Sequence, residues 1–101
     1  MGGWFPDYSD ADNYLTPFFL EKNFLGNHYV NQEVNDLILK QAVETDAATR
    51  TSDIEKIQDL VAKDLSTVPL LQGAQVAVTG ADVKGVTLDA SFKLRFAPIT
   101  K

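Results

Sequence analysis

Cysteine is absent from this chain of 101 residues, which excludes disulfides, thiol catalysis and thiolate metal sites. Basic residues are scarce. Nine Lys and Arg against 14 Asp and Glu leave a net charge of −5, which disfavours a nucleic-acid or phosphate-binding surface. No run of about 18 apolar residues occurs, so nothing in the sequence reads as a membrane span. Six Gly and four Pro are too few for a disordered linker protein. Histidine occurs once, at His28 in a polar loop; it reads as exposed and inert, and no second His exists for a zinc site. The N-terminus, Met1-Gly2-Gly3-Trp4, has neither the basic nor the apolar region of a signal peptide. That fits either a cytoplasmic protein or a segment of a longer chain.

What is present is ordinary globular composition, 45% hydrophobic and 23% charged. A chain of this length forms one domain and buries roughly 65% of its unfolded surface. Its ten aromatics are unevenly placed. Eight lie before residue 30: Trp4, Phe5, Tyr8, Tyr14, Phe18, Phe19, Phe24 and Tyr29. That lopsidedness suggests a surface built to meet something outside the segment.

The patterning divides the chain in two. Residues 1–8 read as a short strand broken at Pro6, and 9–13 carry turn and cap chemistry. A short helix fits from about Asp12, with Pro17 in its first turn. A helix is expected over about 32–44, capped by Asn31, with Val34, Leu37, Ile38 and Ala42 at helical spacing and Gln41 outside. A second is expected over about 47–65, capped by Asp46 or Thr45, with Ile54, Ile57, Val61 and Leu65 as its buried stripe. With two or three residues between them, they read as an antiparallel hairpin. From Thr67 the period changes to two. Strands are expected at 68–71, 74–78, 86–88 and 92–96, with Gly80 and Gly85 bracketing a turn.

Few residues are placed for catalysis. Asp7, Asp10, Asp12 and Asn13 form an acidic cluster, but the spacing fails as a calcium loop, since Tyr14 and Leu15 stand where an oxygen ligand and Gly are needed. Asp10 and Asp12 therefore read as caps and turn formers, and no metal site is expected. No Ser sits on a recognisable nucleophile elbow, and no Gly-rich loop could cradle a phosphate. Lys93 and Arg95 alternate on one strand face, which reads as solvated. Asp7 stands apart because it follows Trp4-Phe5-Pro6. An acid behind an aromatic cluster is either an exposed loop residue or a partly buried anion that needs a cation.

The stretch Gly3-Trp4-Phe5-Pro6-Asp7-Tyr8-Ser9-Asp10-Ala11-Asp12-Asn13 resembles a signature of bacterial ABC-transporter extracellular solute-binding proteins of the dipeptide, oligopeptide and nickel class. The resemblance continues through Asn27–Asn31, Val34–Ile38, Asp46, Arg50 and Ile57-Gln58. Val68-Pro69-Leu70 and Val83-Lys84-Gly85-Val86 extend it over nearly the whole chain. Pro6 and Ser9 depart from the commoner residues, which bears on the ligand's identity.

The resemblance implies an α/β architecture, the C-terminal fragment of a type II periplasmic-binding-protein-like fold, with a helix hairpin packed on a small mixed sheet. Residues 1–101 would form a single fragment. About 1–80 would belong to the second ligand-binding lobe, and about 86–101 would return as strands toward the first. The implied function is that of an extracytoplasmic receptor, in full length a periplasmic protein or cell-surface lipoprotein. It would bind peptides or a related small solute and deliver them to ABC-importer permease subunits, without enzymatic activity or cofactor. The resemblance carries a ligand-binding role to Asp7, as partner of the ligand's α-ammonium, and to Trp4 and Phe5 beside it. Late strands without neighbours would also promote self-association of the fragment. The alternative reading is a free-standing α+β interaction domain that docks a partner protein through its aromatic N-terminal segment.

Overall fold

Asp10 starts the first regular element by accepting the Asp12 backbone N–H at 2.8 Å. In the computed structural model, which describes residues 2–101, a 3-10 helix then spans Ala11–Tyr14. A one-turn helix, α1, follows at Thr16–Phe19, with Pro17 in its first turn where no intrahelical donor is lost. The Asn31 carboxamide caps α2, Gln32–Gln41, by accepting from Glu33 N at 3.1 Å and Val34 N at 3.2 Å. Asp46 caps α3, Ala47–Asp64, by accepting from Thr49 N at 2.8 Å. Leu65 closes α3 in the left-handed conformation at φ 52°, and its backbone N–H bonds the carbonyl of Ala62.

The chain divides into two units. One is Asp10–Leu70, and the other joins the residues up to Ser9 with Leu71–Lys101. The core of the first unit is Leu15, Val34, Ile38, Ile57 and Val61, with Phe19, Leu20, Tyr29, Leu37, Ile54 and Leu60 packed around it. Val34 and Ile38 recur along one face of α2, Ile57 and Val61 along one face of α3, and the two faces seal each other. Leu65, expected in that stripe, is exposed because the left-handed cap turns the chain away from the helical path.

The second unit corrects the expected architecture. The α/β arrangement with a hairpin on a small mixed sheet, the type II periplasmic-binding-protein-like layering, does not form. Among the described residues, pairing of extended chain is confined to one antiparallel bridge between Lys84 and Thr100. The expected strands at 68–71, 74–78, 86–88 and 92–96 have no ladder, nor do the described residues of 1–8; Met1 lies outside the described residues. Leu71, Val76, Val78 and Phe96 are exposed accordingly. Alternation signals a segment that fits a pleated, half-buried surface, but it does not supply the neighbouring strand whose N–H and C=O groups complete the ladder. Ile57 is buried as expected, though its cover is the opposing helix and not a sheet.

Within the second unit, Gly85 has a specific task. Its φ is +78°, and a Cβ there would stand 1.9 Å from the Pro98 carbonyl oxygen. The close approach lets Lys84 and Thr100 exchange both backbone hydrogen bonds, at 2.9 and 3.0 Å.

Ile57 has no exposed surface, so Ile57→Ala leaves a cavity that the two helices cannot close. The expected loss is about 2–5 kcal/mol of unfolding free energy, measured in urea. Unchanged unfolding would mean that this face of α3 is not the core.

Candidate functional site

Trp4, Phe5 and Asp7 lie on the irregular segment before the 3-10 helix, Asp7 where the chain begins to bend. Pro6 is buried, Trp4 is half-buried, and Phe5 and Asp7 are exposed, Phe5 by 66%. Two contacts reach this segment from a turn far along the chain. The Phe92 ring stands 4.7 Å from that of Phe5, tilted by 54°. The Lys93 ammonium donates to the backbone carbonyl of Asp7 at 3.0 Å.

The turn that provides them is built by Asp89. Its carboxylate accepts from the Ser91 backbone N–H at 2.8 Å and from the Ser91 hydroxyl, and its carbonyl accepts from Phe92 N at 2.9 Å. The Ser91 hydroxyl and backbone N–H hold the Asp89 carboxyl below its ordinary value, with Arg95 and Lys93 adding to the effect. Phe92 is left at φ +58°, a strained conformation for a bulky side chain. The sequence reading missed Phe92 and Lys93 as companions of the site. The signal was local, an Asp-x-Ser turn, but nothing local says where such a turn docks.

A second constellation lies wholly within the helical unit. Arg50, on the first turn of α3, donates to both oxygens of Asp10, at 2.6 and 3.0 Å. It also donates to the Gln41 backbone carbonyl at 3.1 Å and side-chain carbonyl at 2.9 Å. The Gln41 amide donates to Asp12 at 2.6 Å and to the Ile38 carbonyl at 3.2 Å, and Thr16 donates to Asp12 at 2.8 Å. Asp10 and Asp12 thus spend their oxygens on capping and on this network. Among the described residues no three His, Cys, Asp or Glu side chains converge as a metal site. Gln41, expected outside, is fully buried, while Ala42 is exposed. The spacing Val34, Ile38, Gln41 places it on the apolar stripe, so the signal was present and its polarity hid it.

At the opposite end of α3, Asp64 accepts from the Tyr29 hydroxyl and the Asn31 carboxamide, each at 2.7 Å. The Tyr29 hydrogen bond, then the Asn31 one, holds Asp64 below its ordinary value. Burial, followed by Asp64, pushes the Tyr29 phenol up to about 12. Lys40 reaches across from α2 to both oxygens of the buried Asp53, at 2.8 and 2.9 Å. Lys40 and Asp53 tie α2 to α3, and Tyr29 and Asn31 tie the segment before α2 to the end of α3.

The segment at 4–7 thus presents the Phe5 ring and the Asp7 side chain to solvent. The chain is 24% identical over 107 residues to the peptide transport periplasmic protein SapA of Salmonella typhimurium, a match covering all of this chain and 19% of that protein. It is 32% identical over 89 residues to the probable D,D-dipeptide-binding periplasmic protein DdpA of Escherichia coli, covering 84% of this chain and 17% of that one. The likeness is to periplasmic solute-binding proteins. Both relatives are named for peptide transport or binding, and neither name describes an enzyme. The chain spans less than a fifth of either relative's length. No family model matches it, and no solved structure does. No helix among the described residues is long and apolar enough to cross a membrane.

The Asp10–Arg50 pair gives the helical unit a defined pH response. The Arg50 hydrogen bonds, then the Asp12 backbone N–H, hold the Asp10 carboxyl below its ordinary 3.8, against the effect of burial. A carboxyl depressed in the folded state stabilises above its unfolded value and loses that contribution as pH falls toward the folded one. Asp10→Asn is therefore expected to lower the melting temperature at pH 7, with the gap to wild type closing as pH falls below 3.8. Asp46, Asp64 and Asp89 are depressed in both proteins, so the difference isolates Asp10. A gap independent of pH in parallel thermal melts would rule the charge pair out as its source.

Proposed function

We propose that this chain is part of an extracytoplasmic receptor that binds peptides and hands them to the permease of an ABC importer. Residues of about 1–80 would belong to its second ligand-binding lobe, and about 86–101 would lead back toward the first. Asp7 holds the ligand's amino end, and Trp4 and Phe5 border the ligand. The observation that carries the reading is the presentation of the 4–7 segment. Asp7 and Phe5, two residues apart, are both exposed, and Lys93 and Phe92 contact the same segment, in a chain similar to two proteins named for peptides. A carboxylate in a cleft that excludes water makes a short, charge-assisted bond to an ammonium group. The main chain of a peptide can be held by backbone groups whatever its side chains are.

Asp7→Asn keeps the shape and removes the charge. In the receptor that carries this chain, losing one member of a desolvated charge pair costs about 2–5 kcal/mol. Calorimetry with a peptide retained from a mixture of short peptides is expected to show roughly a 30-fold or greater loss of affinity. The N-acetylated form of that peptide binds weakly to the wild type and loses little more on mutation. Ligand-free melting temperature stays close to wild type, because an exposed loop carboxylate contributes little to stability. Equal affinity of both proteins for the free peptide would remove Asp7 from the site.

A further inference from the structure

We infer that the turn at 89–93 is a positioning element for the ligand-contacting segment, with Phe92 setting Phe5 and Lys93 setting the backbone of Asp7. This inference rests on the reading of Asp7 and Phe5 given above, and it adds two residues that do not touch the ligand. Three observations converge on those four residues. The Phe5 and Phe92 rings are 4.7 Å apart. Lys93 Nζ lies 3.0 Å from the Asp7 carbonyl oxygen, across 86 positions of sequence. Phe92 sits at φ +58°, which a bulky side chain holds only when its surroundings over-determine it. Among the described residues two other non-glycine residues have positive φ: Leu65 caps α3, and His28 lies beside Asn27, whose side chain accepts from Tyr29 N. Phe92 caps no helix. Its backbone N–H is held by the Asp89 carbonyl, its ring stands against Phe5, and the next side chain reaches Asp7.

The physical logic is that of pre-organisation. An exposed, extended segment loses conformational freedom when it receives a ligand, and a segment already held loses less. Lys93 binds the backbone carbonyl of Asp7, so it fixes where the residue sits whatever its carboxylate does.

The test is 15N relaxation on the 101-residue chain, reading the Phe5, Asp7 and Tyr8 amides, with the amide signals of Asp10–Leu70 as internal control for folding. Lys93→Met is expected to lower the order of the Asp7 and Tyr8 amides while the control signals stay in place. Lys93→Arg, which keeps a donor on a long stem, is expected to restore it. Phe92→Gly relieves the strained φ and removes the ring, and it is expected to loosen Phe5. Unchanged order at Asp7 in Lys93→Met, failure of Lys93→Arg to restore it, or unchanged order at Phe5 in Phe92→Gly would overturn the inference. In the receptor carrying the chain, Lys93→Met is expected to weaken the free-amine peptide by roughly two- to ten-fold, about the cost of ordering one freed group on binding. If Asp7→Asn leaves affinity unaltered, the ligand reading fails, and the relaxation result still decides the positioning role. If Asp7→Asn weakens binding and Lys93→Met does not, the positioning role alone fails.

Discussion

Gln41 is a polar side chain with no access to water, and much of the helical unit is arranged by the need to satisfy it. A buried amide left without partners costs about 1–3 kcal/mol, so its four hydrogen-bonding positions act as constraints. Its oxygen accepts from Arg50, and its nitrogen donates to Asp12 and to the Ile38 carbonyl. Arg50 in turn needs Asp10, and Asp10 starts the 3-10 helix. One buried residue on α2 therefore fixes where α3 begins and where the preceding segment turns. The apolar contacts of Val34, Ile38, Ile57 and Val61 drive the helices together, but they are non-directional. The network around Gln41 selects one register from the several that an aliphatic stripe permits.

Legibility in the sequence followed the range of the interaction. The starts of α2 and α3 were readable because Asn31 and Asp46 cap within three residues, and the Ile57 stripe because helical spacing is local. Gln41 was misplaced because polarity was read as exposure, although its spacing from Val34 and Ile38 put it inside. The late segments were misread for a deeper reason. A period of two reports the character of a surface, while a ladder is a property of two segments, and only Lys84 and Thr100 pair among the described residues. Asp7, Trp4 and Phe5 could be singled out as a cluster in the chain. Their neighbours Phe92 and Lys93 could not, because nothing near residue 92 encodes a contact with residue 5.

The two units differ in what holds them. The helical unit holds the apolar core and the interlocked polar network. The other unit carries irregular chain, the positive φ of Phe92 and exposed aromatic surface at Phe5 and Phe96. The net charge of −5 is of the sign that favours a cationic group. At physiological salt that preference acts over about 8 Å, so local placement of a carboxylate outweighs the total.

The unit formed from both ends of the chain has a consequence for the order of folding. Its contacts, Phe5 with Phe92 and Lys93 with Asp7, close a loop of more than eighty residues, and closure of a flexible loop costs entropy that grows with its length. Residues 10–70 lie inside that loop and fold through nearer contacts. Once they are folded, the floppy part of the loop shrinks to the short stretches flanking them, and the ends meet at lower entropic cost. The helical unit thus acts as a tether-shortener. Loop-closure entropy alone therefore favours folding of that unit before the contacts of the segment bearing Asp7 form.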